Sequence, residues 1–447
     1  MKEAKNTDQW VSFVGVILLA LILPGMLKLA NSAVRYVVGA EGRLSAITID
    51  TERVLGPLQK NWQVLSQGGD NLRGFMNGAE DKLKVLGLRY IRVDHIYDEF
   101  EVVSREGGKV VYSWSKLDSL VNQITGVGAK PFFSLSYMPP SIASGGDIFS
   151  EPSDWNEWSE LVQKTIEHYS GDLGIEDVYY EVWNEPDLFG KWKIGGKKDY
   201  RTLYSFAVQG ASSAKNVKPF KIGGTATTEL YKDWMDGFFS YVLQNRLRLD
   251  FFSWHRYDLD LQKYADDVKS TEAWIDRYPF FIQTERIVSE IGPNSEMGRE
   301  NDTKVGAAHL VAVAREFMPK VKYGFNFAIT GNWGIINKPR YEAISYLSKL
   351  GDYRLPVSGE GTWVRAIAAK SGEKYQAVLV NYDAKNVHNE VVPVTFLNLK
   401  NTNYRFSIEM LGGAKQTSSV ATSGAIWQTS IPMPPNSVAF LEMESEQ

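Results

Sequence analysis

Val178-Tyr179-Tyr180-Glu181-Val182-Trp183-Asn184-Glu185-Pro186-Asp187 reads as a buried β-strand that runs into a polar turn. Val, Tyr and Trp favour extended backbone. Pro186 has no amide hydrogen to give a ladder and ends the run. Similar apolar runs recur on both sides: residues 60–65, 90–93 and 130–136 before it, and 221–224, 250–255, 286–289 and 323–328 after it. Helical patterns separate several of them, at 77–86, 115–125, 200–215, 305–317 and 341–350. In the second, Leu117, Leu120, Val121 and Ile124 share one face. A further helix, capped by Ser153 or Asp154, carries the stripe Trp155, Trp158, Val162, Thr165 and Tyr169. Strands alternating with helices predict a parallel sheet. Eight such units predict an α/β fold closed into a (β/α)8 TIM barrel, with its active site at the C-terminal ends of the strands.

From about residue 355 the pattern changes. Short strand-like runs at 363–369, 375–380, 391–396, 404–410, 426–431 and 438–442 alternate with turns, without a helical period. They predict a C-terminal antiparallel β-sandwich packed on the barrel as a brace. Residues 10–27 are nearly all apolar, follow Lys2 and Lys5, and precede a small-residue stretch, Ala30-Asn31-Ser32. This reads as an N-terminal hydrophobic anchor or a signal segment. Either reading exports the rest of the chain, to the cell surface or periplasm, and the anchor makes the membrane a partner. The expected domains are therefore 1–35 (anchor or signal), 36–354 (barrel) and 355–447 (sandwich).

Composition narrows the chemistry. The net charge of −4, with no long basic block, speaks against a nucleic-acid partner. The absence of cysteine excludes disulfides, thiolate catalysis and cysteine-ligated metals. The histidines, His95, His168, His255, His309 and His388, are scattered, and none pairs at a metal-ligand spacing. Neither metal nor cofactor is expected. The abundant aromatics, 13 Trp, 22 Tyr and 21 Phe, suit either sugar stacking or a large core.

Asn184 and Glu185 give the strand end a chemical logic. Glycosidic cleavage needs a protonated carboxyl beside the leaving oxygen and a hydrogen bond to the sugar 2-hydroxyl that tightens in the transition state. An adjacent Asn and Glu, splayed at a strand tip, can supply both. The plainer alternative is a surface turn.

The motif Glu181-Val182-Trp183-Asn184-Glu185-Pro186-Asp187 resembles the acid/base motif of clan A glycoside hydrolases, whose catalytic glutamates end barrel strands four and seven. Other segments resemble glycoside hydrolase family 39 in particular. Among them are Leu86-Gly87-Leu88-Arg89-Tyr90-Ile91-Arg92, Ile222-Gly223-Gly224-Thr225, Asp250-Phe251-Phe252-Ser253-Trp254-His255-Arg256-Tyr257 and Lys338-Pro339-Arg340-Tyr341-Glu342-Ala343. The resemblance implies a retaining glycoside hydrolase acting on oligo- or polysaccharides through a glycosyl-enzyme, with Glu185 as acid/base. For the nucleophile, Glu285 and Glu290 both belong to strand seven. Ile287-Val288-Ser289-Glu290-Ile291-Gly292 fits the clan pattern, and Glu285 stands on the N-terminal side, so Glu290 is expected.

The resemblance further implies that Asn184 contacts the 2-hydroxyl, Tyr257 hydrogen-bonds the nucleophile, Arg92 lies near it, and Trp333 floors the sugar site. His255 shares the strand-six end. Arg92 and His255 could equally be structural hydrogen-bonders, and Trp333 could pack on the sandwich. Two departures bear on the substrate: Ser134 where many members show Glu, and Asp94-His95 where a plain His is usual. Both are expected at the rim that reads sugar substituents. A catalytically inactive carbohydrate-binding protein and a transglycosylase of the same fold are the competing readings.

Overall fold

Eight parallel strands close into a barrel in the computed structural model, which describes residues 42–69, 72–296, 298–422 and 424–446. In chain order they are β1 (Val64–Gln67), β2 (Tyr90–Val93), β3 (Lys130–Leu135), β4 (Val178–Val182), β5 (Phe220–Thr227), β6 (Phe251–Tyr257), β7 (Glu285–Gly292) and β8 (Tyr323–Phe327). Each pairs with the next, and β8 pairs with β1 to close the ring. A helix follows each strand in turn: α1 (Glu80–Leu86), α2 (Ser115–Gly126), α3 (Trp155–Ile166), α4 (Tyr200–Ser213), α5 (Lys232–Gln244), α6 (Leu261–Arg277), α7 (Lys304–Phe317) and α8 (Pro339–Ser348). The Asp154, Asp199, Asp260 and Thr303 side chains each accept an amide hydrogen from the first turn of α3, α4, α6 and α7. A hairpin, Val103–Glu106 with Lys109–Tyr112, adds to the connection between β2 and α2. The apolar segment 10–27, read above as an anchor or signal, lies outside the described residues. Among those described, no helix is long and apolar enough to cross a membrane.

Strand alternation sorts the side chains. Val64, Tyr90, Phe132, Tyr179, Phe251, Ile287, Tyr323 and Phe325 form one buried cluster from seven of the strands, filling the lumen. β5 contributes Gly223, where a Cβ would lie 2.7 Å from the Phe251 ring. Many of the aromatics thus serve the core. Two residues further along five of these strands the lumen turns polar: Ser66, Arg92, Ser134, Glu181 and Ser253, all fully buried. The three serines leave room for Arg92 to cross the barrel. This polar layer lies beneath the strand tips.

The accessory domain is a sandwich of two sheets. One orders Val357–Ser358, Ile47–Asp50, Glu390–Leu397 and Ile426–Met433. The other orders Gln416–Ala421, Asn403–Met410, Ser437–Ser445, Lys374–Asn381, Val364–Ser371, Tyr353–Arg354 and Gly56–Pro57. Two expectations change here. The chain threads the sandwich before it enters the barrel, so residues 47–57 leave the span 36–354 and join the accessory domain. The sandwich is also not wholly antiparallel, because Ile47–Asp50 runs parallel to Glu390–Leu397. Ala366, Ala368, Ala377, Leu379, Ala439 and Leu441 face the inter-sheet core. Their neighbours Ile367, Ala369, Val378, Val380, Val438 and Phe440 join the barrel core instead. The three central strands of the seven-stranded sheet, Val364–Ser371, Lys374–Asn381 and Ser437–Ser445, are therefore buried on both faces. An Arg315–Glu360 ion pair at 2.6 Å and the Tyr346–Phe440 ring contact reinforce the junction on α7 and α8.

Candidate active site

The strand tips open into a cavity of about 690 Å³. Glu185 and Glu290 line it together with Asn184, Tyr257 and Trp333. One carboxylate oxygen of Glu185, one of Glu290 and a ring nitrogen of His255 all lie within 4.8 Å of one another.

Two local distortions create this convergence. Strict alternation after Glu181 would send Asn184 and Glu185 to opposite faces. Instead the backbone enters the left-handed region at Trp183 (φ 71°) and again at Glu185 (φ 44°). Such conformations are costly for non-glycine residues and persist only where the surroundings enforce them. The surroundings are specific. Ser134 Oγ donates to the Trp183 carbonyl at 2.9 Å, and the Glu185 amide donates to Ala226 O at 2.9 Å. Both side chains then reach the cavity. On β7, Ile287 faces the lumen, so alternation would turn Glu290 outward. The register against β6 jumps from Trp254↔Val288 to His255↔Glu290, skipping Ser289. This bulge turns Glu290 inward. Glu285 ends up at the opposite end of the barrel, held by Tyr179 Oη and Lys221 Nζ, each at 2.6 Å.

Arg92 ties the site together. Its Nε donates to Glu181 Oε2 at 2.7 Å. Nη1 donates to Glu290 Oε1 at 2.8 Å and to Ser66 Oγ at 3.2 Å. Nη2 donates to Asn184 Oδ1 at 2.7 Å and faces His255 Nε2 at 3.5 Å. A guanidinium has five N–H groups, and each has a partner here. Burial works against Arg92's charge, but the carboxylates of Glu181 and Glu290 outweigh it and raise its pKa. Because Arg92 only donates, Asn184 must turn its oxygen to Arg92, and its amide nitrogen reaches Tyr137 Oη at 2.9 Å. By the same logic the neutral His255 ring accepts at Nε2 and carries its hydrogen on Nδ1, which donates to Glu185 Oε1 at 2.9 Å. Burial disfavours the His255 cation, yet Glu290 and Glu185 together raise its pKa. Tyr257 Oη donates to Glu290 Oε2 at 2.6 Å, and burial beside that carboxylate holds its pKa well above the ordinary phenol value. Both Glu290 oxygens are thus engaged by donors.

Trp333 lines the cavity from the β8 connection, with its Nε1 bonded to Glu296 O at 2.9 Å and its carbonyl held by Arg340 at 3.0 Å. It does not pack on the sandwich. Asp94 and His95 also line the cavity. Ser134 does not; it is fully buried under the β4 turn and reads no substituent. Glu181 and Tyr137 had no role assigned from sequence. A charge inside the apolar run Val178–Val182 was the available signal for Glu181. Glu185, His255 and Glu290 could in principle ligate a cation. However, the Arg92 guanidinium already supplies the positive charge between Glu290 and His255.

The family model for glycosyl hydrolases family 39 matches residues 45–291. A beta-xylosidase of Geobacillus stearothermophilus is 26% identical over 363 residues, covering 68% of this chain and 71% of its own. A beta-xylosidase of Caldicellulosiruptor saccharolyticus is 25% identical over 393 residues, covering 76% and 79%. Among solved structures, the family 39 enzyme from Xanthomonas axonopodis pv. citri superposes with a TM-score of 0.75 at 19% identity, covering 90% of this chain and 98% of that one. A monomeric beta-xylosidase from Caulobacter crescentus CB15 gives 0.74 at 20% identity, covering 90% and 100%. The chain belongs to family 39 of the glycosyl hydrolases and is a retaining glycoside hydrolase.

Proposed function

We propose that the protein cleaves glycosidic bonds of an oligo- or polysaccharide by double displacement, with Glu290 as nucleophile and Glu185 as acid/base. The observation that carries this is the carboxylate spacing. Oxygens of the two carboxylates approach within 4.8 Å, which favours the short carboxyl separation of retaining enzymes, about 5–5.5 Å, over the wider gap of inverting ones. Arg92 and Tyr257 hold Glu290 in place by donating to both of its carboxylate oxygens. It attacks the anomeric carbon while protonated Glu185 gives its proton to the departing oxygen. The resulting Glu185 carboxylate accepts from His255 Nδ1 and takes a proton from water, and that water releases the sugar from Glu290. Asn184 uses one amide hydrogen on Tyr137, which leaves the other for the sugar 2-hydroxyl. Trp333 offers the ring floor. The beta-xylosidase relatives make an aryl β-xyloside a natural first substrate. The apolar segment 10–27 supports export and retention at the cell surface, where the cell's own exopolysaccharide is a candidate substrate; fractionation of cells expressing the full chain tests this, and a cytoplasmic pool would reject it.

Incubation with activated 2-fluoro glycosides followed by peptide mass spectrometry tests the mechanism. The expected adduct is on Glu290. In Glu185→Ala, azide should restore turnover and give a glycosyl azide with the substrate's anomeric configuration. An adduct on Glu285 would overturn the nucleophile assignment.

A further inference from the structure

Asp94 is a buried carboxylate, 4% exposed, that the mechanism above does not use. It follows β2, lines the catalytic cavity, and its Oδ1 has no hydrogen-bond partner. Its carboxylate lies over Gly68, where a Cβ would come within 2.3 Å of Oδ2. Gly68 also lines the cavity, so a glycine here keeps the carboxylate open to a ligand. Arg92 has no N–H left to offer it. His95 is tied to Asp98 at 2.8 Å. A buried carboxylate oxygen without a donor is expensive unless something supplies one. Sugars supply pairs of neighbouring hydroxyls.

The rest of the lining points the same way. Its charged members among the described residues are Asp94, His95, Glu185, Glu229 and Glu290, with no lysine or arginine. Glu229 is already paired with Arg256 at 3.1 Å, outside the lining. A sugar carboxylate in this cavity would meet like charge without a bidentate cationic partner.

We infer that Asp94 accepts hydrogen bonds from vicinal hydroxyls of the sugar held at Glu290, and that the site selects neutral sugar units over uronic acids. This rests on reading the cavity as the glycosidase site. Burial, opposed by His95 and Arg92 and aided by Glu290 and Asp98, raises Asp94 to about 6, as expected for an anion still awaiting its donor.

The test uses the full chain, as wild type, Asp94→Ala and Asp94→Asn, on aryl xylosides, glucosides, mannosides and the matching glucuronides. Wild type should turn over a neutral glycoside with kcat/KM at least about 100-fold above any glucuronide. Asp94→Ala should lower kcat/KM on that glycoside by about 10- to 100-fold, the range of a hydrogen bond to a charged group. The loss should shrink on the 3-deoxy or 4-deoxy analogue that lacks the partner hydroxyl. Asp94→Asn should narrow the gap between neutral and uronic substrates. Covalent labelling of Glu290 in each variant shows that the site is folded. The inference is overturned if a glucuronide is preferred, or if Asp94→Ala costs the same factor on the parent and both deoxy sugars. If wild type neither turns over nor is labelled by any glycoside, the glycosidase reading itself fails, and this inference with it.

Discussion

Arg92→Met separates the roles of the buried cation. The substitution keeps most of the side-chain volume and removes every N–H. Glu181, fully buried, would lose its guanidinium, and its Oε1 already has no partner. Removing one member of a buried ion pair costs about 3–5 kcal/mol. For a barrel of this size that lowers Tm by roughly 5–10 °C. Activity should fall for a different reason. Glu290 loses its 2.8 Å donor and Asn184 its 2.7 Å donor. At about 1.5–3 kcal/mol for each hydrogen bond to a charged group, kcat/KM should drop by about 10²- to 10⁴-fold. The double variant Arg92→Met/Glu181→Gln removes the stranded charge, and a neutral pair in such a place is often nearly as stable as the ion pair. It should recover most of the Tm while staying within tenfold of the single variant in activity. Circular dichroism melts give the stability, and kcat/KM on an activated aryl glycoside gives the activity. Should the double variant recover near-wild-type activity, Arg92 would be a structural counter-ion to Glu181 and nothing more.

Tyr257→Phe removes the 2.6 Å donor to Glu290 without disturbing the fold, so kcat/KM and the rate of 2-fluoro glycoside labelling should fall together by about 10- to 100-fold. Asp94→Asn should stabilise the protein in a pH-dependent way. The folded value of about 6 lies above the ordinary 3.8, so the penalty on the anion is absent below pH 4, grows between the two values and levels off above pH 6 at about 3 kcal/mol; melts at pH 4 and 7.5 should differ accordingly. Arg340 is fully buried and gives its hydrogen bonds to Trp333 O, Phe327 O, Asn301 and Asn326, with burial lowering its pKa to about 10. Arg340→Met should leave these acceptors unpaired, cost about 2–4 kcal/mol, and raise KM more than it lowers kcat, because the connection carrying Trp333 loosens.

The barrel strands were readable because they are short apolar runs ended by polar tips, and that pattern survives without tertiary information; the first, read at 60–65, lies instead at Val64–Gln67. α5 and α6 were harder. α5 carries Gly237 at its centre, where Ile194 packs within 2.5 Å of a would-be Cβ. α6 buries only a narrow stripe, including Tyr264, Val268 and Trp274, within a polar sequence. Ile47–Asp50 was missed because its partners, Glu390–Leu397, are distant in sequence, and no local period reports such a pairing. The site divided in the same way. The strand-tip motif pointed to Glu185, and strand polarity favoured Glu290 over Glu285; Glu185 and Glu290 both line the cavity and Glu285 does not. The bulge that turns Glu290 inward is a register event between two strands, invisible in either strand alone.

The charge balance explains why the interior holds Glu181 at all. Arg92 serves two carboxylates at once, Glu181 at 2.7 Å and Glu290 at 2.8 Å. If Glu290 alone held the guanidinium, the pair would be neutral and the nucleophile quiet. Sharing leaves the cluster one negative charge in excess, in a water-poor layer where electrostatics act strongly. The transition state of glycosidic cleavage is oxocarbenium-like, with positive charge growing at the anomeric carbon. An excess anion fixed beside that carbon stabilises the charge as it develops, without reorganisation at the moment of reaction. In the proposed mechanism Glu181 would thus act through Arg92, by sharing the guanidinium that Glu290 would otherwise hold alone.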